Sequence, residues 1–254
     1  MFLQHGYSAG TNTVAGACSN ITEIRVKLNG RVQRTFSGTQ LRDLNIANGA
    51  SFDCQGLPNT APGVSFPIFF AEPWRKDVVT QDALAWCSNT WTSLQIEVDL
   101  GAAASPTLVA NAVVDNFQPE KPQGICKVIR QSFGASGVAF DVVTLDKRDF
   151  LQQISLYPDS GASQPATKVT LRKDGMILHE LSASCNFALN TNYAMTPTVA
   201  GRTASIYDLV LDHDDLLASA VPMEGTRDCT LTIESASAMS GTITAIICRV
   251  GMPE

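Results

Sequence analysis

Charge is scarce in this sequence, and none of it is gathered. Asp, Glu, Lys and Arg make up 17% of 254 residues, the formal net charge is −6, and no run of Lys or Arg occurs. A sequence-independent grip on nucleic acid needs a basic face, so direct nucleic-acid binding is not expected. No window holds the roughly 18 strongly apolar residues of a membrane-spanning helix. The start, MFLQHGYSAGTNTVAGACSN, has neither a basic n-region nor a continuous apolar stretch, so it does not read as a secretory leader. Residues 1 to about 20 read instead as a Gly/Ser/Thr/Asn-rich arm of the kind ordered by a neighbour.

Motifs that carry chemistry are also missing. No G-x-S-x-G elbow, P-loop, H-E-x-x-H or G-x-G-x-x-G is present. Seven cysteines (Cys18, Cys54, Cys87, Cys126, Cys185, Cys229 and Cys248) make no C-x-x-C pair, which argues against zinc. Their odd number and wide spacing fit free thiols in a reducing compartment, most simply as small buried hydrophobes. The Asn20-Ile21-Thr22 sequon carries little meaning without a secretory signal. Three histidines remain. His5 lies in the arm, His179 on the expected solvent face of a strand, and His213 within Leu211-Asp212-His213-Asp214-Asp215. Asp212, Asp214 and Asp215 have the oxygen density for Ca²⁺ but lack the glycine and glutamate of an EF-hand loop. Acids just ahead of Leu216-Leu217-Ala218 also suit a helix N-terminus, which is the favoured reading. Trp74, Trp86 and Trp91 read as core or interface residues, with a sugar-stacking face as the alternative. No catalytic residue is assigned, and the chain is not expected to be an enzyme.

What is present is a repetition. Ile24–Asn45 reads IRVKLNGRVQRTFSGTQLRDLN, and Val169–Asn190, 145 residues on, reads VTLRKDGMILHELSASCNFALN. Asn29-Gly30 falls on Asp174-Gly175. Both pairs sit between alternating apolar residues, the strongest short-range hairpin signal. Ser37 with Gln40 has the form of a capping box, Asn48-Gly49 that of a helix stop, and Ser182 keeps the cap alone. Further blocks follow in the same order: Phe66–Phe70 with Ile206–Val210, expected helices at Asp77–Trp86 and Asp214–Ala220, Leu94–Val98 with Leu231–Glu234, and Thr107–Val114 with Thr242–Arg249. The offset falls from 145 to about 140, 137 and 135, as loop changes produce.

Many short strands between turn signals make this an all-β chain of two similar domains. The proline-rich stretch 116–124 has linker character and divides an arm plus first domain, 1–118, from a second domain, 119–254. The second would open with strands Ile125–Phe133, Val138–Leu145 and Leu151–Tyr157. If these close the first domain instead, the boundary moves toward residue 146.

The hairpin run, FFAEPWR at Phe69–Arg75, ALAW at Ala83–Trp86, and YPDSG at Tyr157–Gly161 followed by TLRKDG together resemble the major capsid proteins of tailless icosahedral phages with an internal membrane. The corticovirus-type coat proteins and related prophage sequences are the most similar group. That resemblance implies a double jelly roll: two tandem eight-stranded jelly rolls with short helices in loops. It further implies homotrimers with six similar lobes, which tile a pseudo-hexagonal lattice in the virion around an internal membrane. Neighbouring trimers, vertex or membrane proteins would be partners, with peripheral membrane contact and assembly in the host cytoplasm. Structural Ca²⁺ at contacts is allowed by the resemblance, with no ligand assigned and the metal residues unknown. A carbohydrate-binding β-sandwich pair and a hydrolase on a jelly roll are the competing readings.

Overall fold

A computed structural model describes residues 1–6, 13–56, 63–76, 78–87, 91–102, 105–114, 124–158, 166–193, 203, 205–213 and 219–253. The chain forms two compact units, one of Met1–Lys127 with Thr198–Thr203 and Met252–Glu254, the other of Val128–Pro197 with Ala204–Gly251. Apart from Gly124, the proline-rich stretch 116–124 lies outside the described residues.

The first unit contains β1 (Phe2–Gly6), α1 (Val14–Asn20), β2 (Ile21–Leu28), β3 (Arg31–Phe36), α2 (Gly38–Asn48), β4 (Gln55–Gly56), β5 (Gly63–Pro67), α3 (Val78–Gln81), β6 (Leu94–Leu100) and β7 (Thr107–Asn111). One sheet has the order β4-β5-β1-β7, and β3-β2-β6 form the opposing strands. Phe2–Gly6, expected in an arm, is therefore a central strand, paired antiparallel with both β5 and β7. The sequence hides this because Gln4, His5 and Gly6 are poor strand formers. The pairing nevertheless buries Leu3 and His5.

In the β2–β3 hairpin, Asn29 and Gly30 take φ of 49° and 80°. Positive φ at both central residues is the type I′ requirement. Alternation then places Ile24, Val26 and Leu28 on the buried face, each fully excluded from water, worth about 1.5–3 kcal/mol apiece. Ser37 and Gln40 make the expected capping box at the start of α2. Gly38 follows the cap because α1 packs there: a Cβ on Gly38 would lie 2.5 Å from the Cys18 carbonyl oxygen. α3 is far shorter than the helix expected over Asp77–Trp86. The Gln81 carbonyl accepts from the Glu72 N–H at 3.0 Å, and Ala83 N–H bonds back to Thr80, so the α ladder is not continued.

The second unit takes most of β8 (Ile125–Val142), then β9 (Phe150–Pro158), β10 (Ala166–Lys173), β11 (Met176–Ser182), α4 (Ala183–Asn192), β12 (Tyr207–Val210), β13 (Val221–Pro222) and β14 (Cys229–Gly251). The two strands expected over 125–145 are thus one long strand. β14 pairs with β10 through Cys229–Ser235 and with β9 through Ile243–Val250. One long strand thus serves different partners along its two halves. β9 also pairs with β12 and β13. Leu156, Val169, Leu171, Leu209, Leu231, Ile233 and Ala245 form the centre of this unit's core.

The two units repeat one another down to their irregularities. The β2–β3 ladder shifts register between Val26 and Lys27, and the β10–β11 ladder between Leu171 and Arg172, 145 residues later. The β2–β6 ladder shifts between Ile21 and Glu23, and the β10–β14 ladder between Ala166 and Lys168, again at an offset of 145. β-bulges are built features of a ladder, so shared positions mark a true duplication. Val26 pairs with Ile96 and Leu171 with Leu231, so these later strands are offset by 135, not 137. A two-residue slip leaves every side chain on its proper face, which is why sequence alternation did not expose it.

Candidate assembly surfaces

The tips of the two hairpins are tied down in the same way. The Asn29 side-chain oxygen accepts from the Thr92 and Ser93 N–H groups at 2.8 and 3.3 Å. Asp174 Oδ1 accepts from the Arg227 and Asp228 N–H groups at 2.9 and 3.0 Å. These contacts hold the Asp174 carboxyl below its usual range, the Asp228 N–H contributing most. The helices are anchored alike: Asn45 donates to the Pro67 carbonyl at 3.0 Å and Asn190 to the Asp208 carbonyl at 2.9 Å. Both lobes use the same device, in which side-chain amides and a carboxylate satisfy backbone groups of neighbouring segments.

Each lobe also presents a charged sheet face. On β2–β6, Arg25 meets Glu97 at 3.0 Å and Asp99 at 2.9 Å, and Lys27 joins Glu97. On β10, Lys168 reaches Glu180 at 2.6 Å and Glu234 at 3.5 Å. Pairs this open to solvent add little stability each. Their alternating sign neutralises the face locally.

The aromatic residues are spent internally. Phe52, Phe69 and Trp74 form an edge-to-face trio with centroids 5.3–5.9 Å apart. Trp86 packs on Phe70 at 4.9 Å and lies 4.8 Å beneath the Arg34 guanidinium. Arg34 also donates to the Cys126 carbonyl at 2.7 Å and to that of Phe69. Trp74, Trp86 and Trp91 are all half-buried. The ring contacts of Trp74 and Trp86 favour the packing role over a sugar platform at those two positions.

The histidines do not converge. His5 is fully buried on β1, its Nδ1 facing the Thr107 carbonyl at 3.3 Å. His179 is buried, not on a solvent face as expected. The Tyr207 hydroxyl donates to the Leu181 carbonyl at 3.0 Å, so at 3.0 Å from His179 Nε2 it accepts the imidazole N–H. Burial, with His213 adding a repulsive charge, pushes His179 down to about 4. His213 faces Asn190 Oδ1 at 3.2 Å and the Tyr193 ring at 5.0 Å. Asp212 is buried and accepts from Gln152 at 2.9 Å. Asp214 and Asp215, and with them the expected helix cap, lie outside the described residues. Among the described residues no group of three His, Cys, Asp or Glu has metal-site geometry.

The seven cysteines differ in exposure. Five are buried as expected for small hydrophobes, Cys126 is half-buried, and Cys185 is exposed. Burial raises the Cys87 and Cys229 thiols, and the Cys18 contact followed by burial raises Cys54.

Residues 7–115 match the model of the viral coat protein P2 N-terminal domain. No curated protein matches the chain by sequence. Among solved structures, the major capsid protein P2 of bacteriophage PM2 superposes with a TM-score of 0.71 at 19% identity, over 98% of this chain and 87% of that one. The STIV major capsid protein gives 0.63 at 13% identity, over 98% and 87%. The PBCV-1 virus capsid protein gives 0.56 at 9% identity, over 98% and 85%. Residues 7–115 thus resemble the viral coat protein P2 N-terminal domain, in a chain whose fold over nearly its whole length is that of the double jelly-roll capsid proteins.

Proposed function

We propose that the chain is the major capsid protein of an icosahedral virus, assembling as a homotrimer whose six lobes tile a pseudo-hexagonal shell around an internal membrane. The observation that carries this reading is the duplicated lobe, repeated down to its bulges, within a coat-protein fold. Three chains with two similar lobes give six similar faces, and repeated faces are what a closed lattice uses. In this reading the lobes are 1–118 and 119–254, and the chain performs no catalysis. Its partners are its own copies, neighbouring trimers, and vertex or membrane proteins. It resides in the virion after assembly in the host cytoplasm. The mixed-sign sheet faces and the net charge of −6 suit a shell kept away from the genome.

Light scattering after size-exclusion chromatography tests the oligomer: a stable species of three chain masses is expected. Electron microscopy of the source virus should show hexagonally arranged capsomers. A protein that stays monomeric at tens of micromolar and is absent from particles would overturn the proposal.

A further inference from the structure

The first unit brings two cysteines together over one face of α2. Gly38 and Arg42 lie one turn apart on that helix and so share a face. Gly38 lies against α1, where a Cβ would fall 2.5 Å from the carbonyl oxygen of Cys18. That carbonyl also accepts the Ile21 N–H that closes α1. Arg42 grips the segment after α2, meeting the two carboxylate oxygens of Asp53 at 2.7 and 2.8 Å. Asp53 Oδ1 in turn accepts the Cys54 N–H at 2.6 Å. One helix face thus fixes the backbone at both Cys18 and Cys54.

The side chains meet there. The two thiols are in hydrogen-bond contact, and the Arg42 guanidinium is within electrostatic reach of both sulfurs. Cys18 is 1% and Cys54 3% exposed, so the pair is closed off from water. A thiolate formed in this pair faces a fixed cation, a setting in which sulfur acts as a nucleophile. The backbone contacts and the Arg42–Asp53 pair hold both ends in place, so the thiols are free to react without either segment losing its anchor.

Joining the sulfurs asks little of the fold. They move from hydrogen-bond contact to a bond of about 2 Å, between segments already packed on the same helix. Cys18 and Cys54 lie 36 positions apart, and the chain between them contains β2, β3 and α2. A crosslink acts chiefly by restricting the unfolded chain, the more so for a longer loop. The chemistry is a two-electron oxidation. Hydrogen peroxide converts one thiol to a sulfenic acid and releases water. The second sulfur then attacks the first, and the hydroxyl leaves with the remaining thiol proton as a second water. Two thiols thus lose two hydrogens while the O–O bond is reduced.

We propose that Cys18 and Cys54 form a paired oxidation site, reduced as the chain folds and joined by a peroxide into a disulfide that staples α1 to the segment after α2. The proposal rests on the packing around α2, not on the coat-protein reading, and its test does not involve assembly. The 254-residue chain is folded with reductant, freed of it and treated with hydrogen peroxide. It is then unfolded, its remaining thiols are alkylated, and it is digested without reduction. The peptides carrying Cys18 and Cys54 should be recovered joined, lighter by two hydrogens than their sum, and should part in dithiothreitol. The oxidised protein should melt about 10 °C above the reduced one, a gain that dithiothreitol reverses. Cys185→Ser should keep the bridge, and Cys54→Ala should lose both bridge and gain. If Cys54→Ala does not fold, the peptide map of the unsubstituted chain decides alone. Cys18 and Cys54 both recovered alkylated, while Cys185 is oxidised, overturns the proposal. So does either cysteine bridged to a different one, or a bridge that forms only when the peroxide is added in urea.

Discussion

Asn29 and Asp174, 145 residues apart, perform the same task with different chemistry. Each sits at positive φ in a two-residue turn, and each side-chain oxygen collects two N–H groups from the loop ahead of the strand paired with its hairpin. The amide does this at any pH, whereas the carboxylate does so best when ionised.

Replacing Asn29 with Ala should cost about 1–2 kcal/mol, chiefly from a positive φ that alanine resists, because water can reach the loop N–H groups it releases. Asn29→Asp should cost much less. Urea unfolding measures both. At position 174 the folded carboxyl is shifted down, so its stabilisation is full above the unfolded value and is lost as pH falls through the folded one. Asp174→Asn should flatten that acid limb, and Asn29→Ala should leave it unchanged.

His179 acts in the other direction. Its folded value, about 4, lies below the ordinary 6.5, so protonation favours the unfolded chain. Stability from this site is full above pH 6.5 and declines as pH falls toward 4. Thermal midpoints between pH 7.5 and 4.5 should drop less steeply in His179→Gln, which cannot take up a proton. An unchanged slope would show that His179 does not couple to folding.

The sequence made the hairpins legible because Asn-Gly and Asp-Gly permit few conformations, and the caps because Ser37 and Ser182 precede helical runs. It did not reveal β1, whose pairing depends on β5 and β7, 57 or more residues away. Nor did it reveal that His179 is buried. One residue's place between Leu178 and Glu180 does not say which face a bulged strand turns inward, and β10–β11 shifts register nearby. The offset of the later strands was off by two, the one error that alternation cannot detect.

Arg34 holds together parts of the first unit that are distant in sequence. Its guanidinium serves two backbone carbonyls and covers Trp86 and Phe70. Arg34→Met leaves those carbonyls short of a donor and removes the cation–π contact, for an expected loss of about 3–5 kcal/mol. Arg34→Lys should recover only part of it, because one ammonium cannot reproduce the planar fork. The Trp86 environment gives a second readout: tryptophan emission of the folded variant should shift, whereas a remote destabilising change would leave it in place.

Thiol reactivity should follow exposure. Cys185 is the exposed cysteine, and the buried Cys54, Cys87 and Cys229 are disfavoured as thiolates. A thiol reagent added to the native protein should give one fast equivalent, removed by Cys185→Ser, with the rest appearing on unfolding. Several fast equivalents would mean that the buried sites open readily.

The exposed face of β7 offers a test in which stability and self-association separate. Val109 is 52% exposed on an edge strand, with Leu108 beside it and Val113 and Val114 about 80% exposed just beyond. Val109 contributes little to the core, so Val109→Lys should change unfolding free energy by no more than about 0.5 kcal/mol. A lysine on an open edge opposes edge-to-edge pairing, because adding another strand would bring its charge against the incoming chain. Heated or stored samples of the variant should therefore aggregate more slowly than the parent at equal stability, read by light scattering beside the melting curve. If the variant aggregates as fast as the parent, β7 is not the surface through which unpaired copies meet. If it melts markedly lower, Val109 is packed against polypeptide that covers the edge.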